Sequence, residues 1–537
     1  MSFAVSYFKK ITKDQYFFIL VFLIAVAIRV WDFGQMPYGM NQDGAMGAID
    51  AKALADHGTD RLGMYMPVHF QAWGFGQMSV LLSYLSIPFI KLFGLNPVTA
   101  RLPILILSIL GLVVIYKLVK EICGVRGGQI ALLITAFSPW HFVQSRWALD
   151  CNVFPHMMLF GVYFLILGVK YKKRYLYISM IFFALCMYSY GVAFYTLPVF
   201  LLLSCVYLLI RKRILIRNML ISMLVYFGLS WPIYLTMMIN AFGWETIETP
   251  FFTMPFFPYS MRAGDLLFMV ENPGEQLTAN IKSFLNVFWE GDYLPWNTVP
   301  GYGTMFIWLV IICVAAIALV LVFLILNIRR RDYTEAGYTK EQADDQAMCM
   351  WLMFFWLICA VFGGVIVSNV NVNRINVVMY SQILFATFGV MYIYTKWKHA
   401  IHVLCISLAV GTFMLLTTYY SQEYKNDIEA IFMGGFGECL QELEDDGCEQ
   451  YYIDLACNES LSRMCLELQT LFYLEVDAEI FQSGEFNDIY HITESENMPK
   501  RPPEGAALIT RDDHVLDYDV YGLKEIRHGR YVAYYSE

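Results

Sequence analysis

The sequence predicts an all-α polytopic membrane protein of about 11 spanning helices with a small C-terminal α/β domain outside the membrane. Three observations predict it. Hydrophobic residues make up 58% of the 537 positions and charged residues only 15%, against roughly 25% charged in soluble domains. Apolar runs of about 20 residues, the length that crosses a bilayer with every backbone polar group bonded internally, recur up to residue 419. Beyond residue 420 the chain turns acidic and alternates helix-like with strand-like patterns.

The first run, Tyr16 to Val30, follows Lys9, Lys10 and Lys13 and has no small-residue cleavage site behind it, so it is expected to stay as an anchor. Basic clusters then recur between runs: Lys117, Lys120 and Arg126; Lys170, Lys172, Lys173 and Arg174; Arg211, Lys212, Arg213 and Arg217; Arg329, Arg330 and Arg331; Lys396 and Lys398. Lys and Arg collect on the cytoplasmic side, so each cluster marks an inner turn and the N-terminus lies in the cytoplasm. Alternation between these turns gives spans near 15–33, 100–120, 127–140, 153–170, 175–190, 193–210, 216–239, 304–327, 348–368, 375–395 and 400–419. Residues 76–94 are apolar too, but a crossing there would put the Lys117 cluster outside. They are expected to lie at the outer face or to re-enter it.

The transmembrane domain is thus 1–420, with outer loops 34–99, 139–152 and 240–303, and 421–537 is an extracytoplasmic domain. In that domain GECLQELEDDG and SLSRMCLELQTLFYL read as amphipathic helices, and YYIDLA, AEIFQS, AALIT and GRYVAYY as strands. Cys439, Cys448, Cys457 and Cys465 fit either disulfides in an oxidising compartment or buried thiols. Asn458-Glu459-Ser460 matches the short N-glycosylation pattern.

Polar residues gathered at one face of a membrane protein are where function is expected. The first outer loop reads MPYGMNQDGAMGAIDAKALADHGTDRLGMYMPVHFQAWGFGQ. A short helix is expected to start near Asp43, which either caps it or stands open among Gly44, Ala45, Gly47 and Ala48; Asp50 then shares its face. In the second loop, SPWHFVQSRWALDCNVFP, Arg146 and Asp150 have the spacing of a helical ion pair and equally of two site residues held near Asp43. Late in the chain, SNVNVNRINVVMY sets Arg374 among Asn369, Asn371, Asn373 and Asn376. Such an arginine either snorkels to lipid headgroups or grips a phosphate with its forked donors. There is no Walker A loop, no HExxH and no GxSxG elbow, which leaves nucleotide-driven transport, zinc proteolysis and serine hydrolysis without local support.

These loops carry a resemblance. MPYGMNQDGAMGAIDAKALADHGTDRLGMYMPVHF, PFIKLFGLNPVTARLPILILSILGLVVIYKLVKEICG, SPWHFVQSRWALDCN and NVNRIN, in this order, resemble the membrane glycosyltransferases of the C-type fold. The likeness is to bacterial relatives of the dolichyl-phosphate-mannose protein mannosyltransferases and of the lipid A aminoarabinose transferases. The chain departs from the pattern at Asp43-Gly44, where relatives carry an Asp-Glu pair, and at GFGQMS, where relatives often have a Lys-Pro-Pro stretch.

The resemblance implies transfer of one sugar from a polyprenyl-phosphate donor to an acceptor hydroxyl at the outer face, with inversion. Asp43 would be the general base. Arg374, helped by Arg146 and Arg101, would hold the leaving phosphate. Asp150, Asp50, His69, Asn376 and Asn152 would bind or orient substrates. No metal is expected; His57 and His69 are the candidates should one be present. The expected partners are the lipid donor, the bilayer and an acceptor that is a protein, glycan or glycolipid, with no nucleic acid. The competing readings are a transporter or flippase of lipid-linked saccharides, which would place charges within the spans, and a scaffold whose tail binds partners.

Overall fold

The computed structural model describes residues 12–72, 76–258, 266–329, 340–514 and 518–536. Lys9, Lys10, Arg330 and Arg331, used above to mark the inner face, lie outside the described residues. In chain order the membrane part comprises α1 (Lys13–Val30), α2 (Gln42–Asp56), strands β1 (Phe70–Ala72) and β2 (Gly76–Met78), α3 (Leu81–Phe93), α4 (Pro97–Ala136), α5 (Pro139–Gln144), α6 (Phe154–Lys170), α7 (Arg174–Met187), α8 (Ala193–Ile210) and α9 (Ile216–Phe242). It continues through β3 (Ile247–Glu248), β4 (Thr253–Met254), α10 (Pro273–Trp289), α11 (Ile307–Arg329), α12 (Lys340–Val365), α13 (Val372–Ile375), α14 (Val378–Lys396) and α15 (Ala400–Tyr419). Among the described residues, eight helices are long and apolar enough to cross a membrane. Each expected span falls on a helix.

α4 accounts for two of those spans. Gly124 interrupts it with φ 75°, and a Cβ on Gly128 would meet the carbonyl oxygen of Tyr116 at 2.8 Å. In a straight helix, residues twelve apart are separated by about 18 Å, so the chain reverses at Gly124. Gly127 and Gly128 let the two arms close together. The reversal lies on the face where α1 begins, since Gln129 donates to Asp14 at 3.0 Å. The other end of the second arm meets the end of α1, where Arg29 donates to the carbonyl of Ala136 at 3.0 Å. Lys170, on Glu121, and Arg211 and Arg213, on Asp344 and Asp345, lie at the same basic face.

This geometry decides residues 76–94. α3 is 13 residues long, about 20 Å against the ~30 Å of a hydrocarbon core. Its N-terminal Leu81 N–H donates to Tyr188 O, at the end of α7 remote from the basic face, and just past its C-terminus Arg101 of α4 donates to the carbonyls of Gly34 and Pro37. Both ends of α3 are therefore at the loop face, and it does not cross. α12 starts earlier than expected because its first turns carry the acidic residues that pair with Arg211 and Arg213.

The C-terminal domain follows as α16 (Gln422–Phe432), α17 (Phe436–Asp445), β5 (Gln450–Asp454), α18 (Arg463–Tyr473), α19 (Ala478–Ser483), α20 (Phe486–Ile489), β6 (Tyr490–Thr493), β7 (Ala506–Arg511), β8 (Lys524–His528) and β9 (Tyr531–Tyr535). Its five-stranded sheet has the order β6-β5-β7-β9-β8; β5 runs parallel to both neighbours and β9 antiparallel to its own. Three of the expected strands form. AEIFQS instead is the short helix α19, because Asp477 caps it, its carboxylate accepting from Glu479 N at 2.8 Å. β6 and β8 were not expected.

The four tail cysteines stand unpaired as packed thiols; Cys457 donates to Ile509 O, and burial pushes its thiol up. Asn458 is buried, its amide nitrogen on Met433 and its oxygen accepting from Ser460 N and Ser462 N. In that position it offers no open glycosylation acceptor, contrary to the pattern read from the sequence.

Candidate functional site

Two buried arginines build the loop face. Arg146 has no exposed surface. Its guanidinium donates to the carbonyls of Arg29 (2.8 Å), Asp32 (2.9 Å), Met36 (3.0 Å) and Ile28 (3.3 Å) and to the Tyr419 hydroxyl (3.2 Å). These are the orphan carbonyls at the end of α1 and the loop beyond, which would otherwise be buried unpaired. Arg101, equally buried, donates to the carbonyls of Gly34, Pro37 and Gly39. Both guanidiniums bond to backbone carbonyls of the first outer loop, while the Arg101 Nε is buried without a hydrogen-bond partner. Arg146 is not one half of a helical pair with Asp150, since α5 ends at Gln144 and the intervening chain is not helical.

The loop so held delivers α2, with Asp43 in its first turn. Asn41, just before the helix, donates to Ala148 O of the second loop at 3.0 Å. Met40 is held by the C-terminal domain through both backbone groups: its N–H donates to Phe432 O at 2.9 Å and its carbonyl accepts from Gln469 at 2.6 Å. The first turn of α2 is therefore fixed by bonds from two other parts of the chain. A Cβ on Gly44 would lie 2.6 Å from Ala148 O and 2.7 Å from the Asn41 side-chain oxygen, which explains why the second acidic residue of the resembling proteins has no counterpart here.

Asp43 and Asp150 line one small cavity, with room for about one water (about 10 Å³), together with Gly44, Gly47, Ser83, Ser86 and Ala148 among others. Asp150 accepts from Ser79 N at 3.1 Å and Cys151 N at 2.7 Å, which ties the start of α3 to the second loop. Next to it, Asn376 accepts from the Trp140 indole at 2.6 Å and donates to Cys151 O (3.1 Å) and to the Asn152 side-chain oxygen (2.9 Å). Asn376 and Asn152 thus join the loop of Arg374 to the loop of Asp150, and their polar groups are used in that joint. Arg374 sits on α13, whose first turn is capped by Asn371 and whose Val372 N–H donates to Asp292 at 2.7 Å. Its side chain is half-buried beside this joint.

Three of the predicted residues lie elsewhere. Asp50 is fully buried in an ion pair with Arg61 at 2.5 Å and also accepts from Arg61 N; it braces the end of α2 and does not line the cavity. Burial and the neighbouring Asp50 charge hold the Asp60 carboxyl up at about 7, against two backbone N–H donors that favour its ionised form. His69 faces the rings of Phe194 and Phe257. His57 is bonded to Asp477 of the C-terminal domain at 3.1 Å. Among the described residues, no group of three or more His, Cys, Asp or Glu is placed to hold a metal ion.

Sequence reasoning missed Ser83 and Ser86, which share a face in an otherwise apolar helix, and Asp292, which anchors the Arg374 loop. It also missed a buried polar chain beneath the second loop. Arg29 donates to His141 Nδ1 (2.9 Å), His141 Nε2 faces the Tyr380 hydroxyl (2.9 Å), and that hydroxyl faces His156 Nδ1 (3.0 Å). Because an arginine can only donate, His141 carries its proton on Nε2. His141 lies in the second outer loop and His156 in the apolar span 153–170, where a lone His is usually a packing residue.

Residues 78–234 match the family model described as dolichyl-phosphate-mannose-protein mannosyltransferase. Over nearly its whole length the chain superimposes on ArnT from Cupriavidus metallidurans in the apo state: TM-score 0.56 at 12% identity, covering 97% of this chain and 98% of that one. The same protein bound to undecaprenyl phosphate gives 0.54 at 13%, covering 96% and 97%. The fold is that of the C-type membrane glycosyltransferases. The apo oligosaccharyltransferase of Archaeoglobus fulgidus shares it, with TM-score 0.51 at 12% identity over 94% of this chain and 70% of that one. No curated protein matches the chain by sequence. The C-type fold and the family match agree with the resemblance read from the outer loops, and the matched segment begins at Met78 and includes α3, α4 and the Asp150 loop.

Proposed function

We propose that the chain transfers a monosaccharide from a polyprenyl-phosphate donor to an acceptor hydroxyl at the outer face of the cell membrane, with inversion at the anomeric carbon. The observation that carries the reading is the cavity shared by Asp43 and Asp150 at the loop face of a C-type fold. A single displacement needs one base for the incoming hydroxyl and a counter-charge for the departing phosphate. Asp43 takes the hydroxyl proton as the acceptor oxygen bonds to the anomeric carbon, and the bond from that carbon to the phosphate oxygen breaks. Asp150, pinned by two backbone donors, orients the sugar or acceptor. Arg374 receives the charge on the polyprenyl phosphate.

ArnT was crystallised with undecaprenyl phosphate, a leaving group of the kind this reaction releases. The basic face is cytoplasmic by the positive-inside rule, which makes the C-terminal domain extracytoplasmic. Mass spectrometry of envelope glycans, glycolipids and glycoproteins after deletion tests the proposal. Loss of one sugar, restored by the intact chain, is expected and identifies donor and acceptor together; an unchanged profile would overturn it.

A further inference from the structure

We infer that Ser83 of α3 binds a ring hydroxyl of the transferred sugar and so takes part in choosing which sugar is transferred; the inference rests on the donor reading above. Ser83 is 1% exposed, its hydroxyl is buried with no hydrogen-bond partner, and it lines the cavity of Asp43 and Asp150. A serine in a helix usually returns its hydroxyl to the carbonyl a turn earlier. Ser86, on the same face of the same helix and lining the same cavity, does so, donating to Leu82 O at 2.9 Å. Ser83 does not, so a buried donor and acceptor is left without a partner in a largely apolar cavity, a costly arrangement unless a ligand completes it.

Gly47 of α2 faces that hydroxyl at close range. A Cβ on Gly47 would come within 3.2 Å of the Ser83 hydroxyl and 2.9 Å of the Met78 methyl, so any larger residue on α2 would close the space between helix and serine. Gly47 is one turn beyond Asp43, which sets Ser83 and the proposed base on the same stretch of cavity wall. A sugar ring presents several hydroxyls, each able to donate and accept, and a serine hydroxyl complements one of them. α3 thereby gains a role that a helix lying at the membrane face does not otherwise need.

The test uses the full chain in lipid nanodiscs with synthetic undecaprenyl-phosphate-linked mannose, glucose and galactose, and with the single-deoxy analogues of each. Dissociation constants are read from intrinsic tryptophan fluorescence. For the sugar held tightest, one deoxy analogue is expected to bind wild type about 10-fold more weakly, the loss of one hydrogen bond to a buried group. Ser83→Ala is expected to hold parent and analogue alike, while Ser86→Ala keeps the discrimination. Equal binding of every deoxy analogue by wild type, or discrimination retained in Ser83→Ala, would overturn the assignment to Ser83. Failure of all three parent donors to bind wild type would instead overturn the donor reading, and this inference with it.

Discussion

Replacing Arg146 by Met separates two accounts of that residue. The substitution keeps an unbranched apolar stem in the buried site and removes every donor. Four carbonyls, those of Ile28, Arg29, Asp32 and Met36, lose a charged partner at 2.8–3.3 Å. A buried acceptor left unpaired costs about 1–3 kcal/mol. Two of the carbonyl contacts are only part-buried, so water recovers some of them, and a net loss of about 4 kcal/mol is expected, a large fraction of a typical protein's stability. Thermal unfolding of the purified chain in nanodiscs, followed by fluorescence, should show the melting temperature fall by roughly 5 °C or more. The fraction that remains folded should bind undecaprenyl phosphate as wild type does, because the Arg146 donors are spent on backbone carbonyls and the Tyr419 hydroxyl. Unchanged stability with binding weakened tenfold or more would refute this and restore the phosphate-gripping role.

Three further outcomes follow from the loop face. Gly44→Glu, which restores the acidic pair of the resembling proteins, should destabilise by about 2 kcal/mol or more, since the new side chain meets the backbone oxygen of Ala148; wild-type melting with higher transfer would contradict it. The folded Asp60 carboxyl sits near 7, above the ordinary value near 4, so the folded state holds the extra proton. The contribution is therefore present at low pH and declines as pH rises from about 4 to 7. Asp60→Asn should remove that decline and raise the melting temperature at pH 8; an unchanged pH profile would contradict the burial argument. Asn376→Ala should cut transfer at least about tenfold by freeing the Arg374 loop from Asn152 and Cys151, with kcat falling more than KM rises.

The spans were legible because hydrophobic length and the placement of Lys and Arg are one-dimensional signals. The reversal at Gly124 was legible for the same reason, as basic residues flank it. The status of residues 76–94 needed three dimensions: apolar composition is shared by a crossing helix and one lying at the face, and only the partners of Leu81 and Arg101 separate them. Among the candidate residues, Asp43 and Asp150 stand out from local context, and the structure places both on one cavity. Arg101, Arg146 and Asp50 have structural partners that the sequence does not display. A charged residue in a short loop looks functional in sequence, whereas its use is set by which backbone carbonyls or opposite charges the fold packs against it. In the tail, AEIFQS alternates like a strand, and the cap from Asp477 overrode that pattern. Ser83 carried only a faint signal, a second serine on the face of an apolar helix.

The central claim is that Asp43 is the base. Asp43→Asn keeps the size of the side chain and the first turn of α2 while removing its capacity to take a proton. Measured as transfer of the sugar identified by deletion analysis, with membrane insertion and melting temperature followed in the same preparation, the variant should lose about 10²–10⁴-fold in rate and remain folded. Transfer at the wild-type rate by a correctly inserted Asp43→Asn chain would contradict the account.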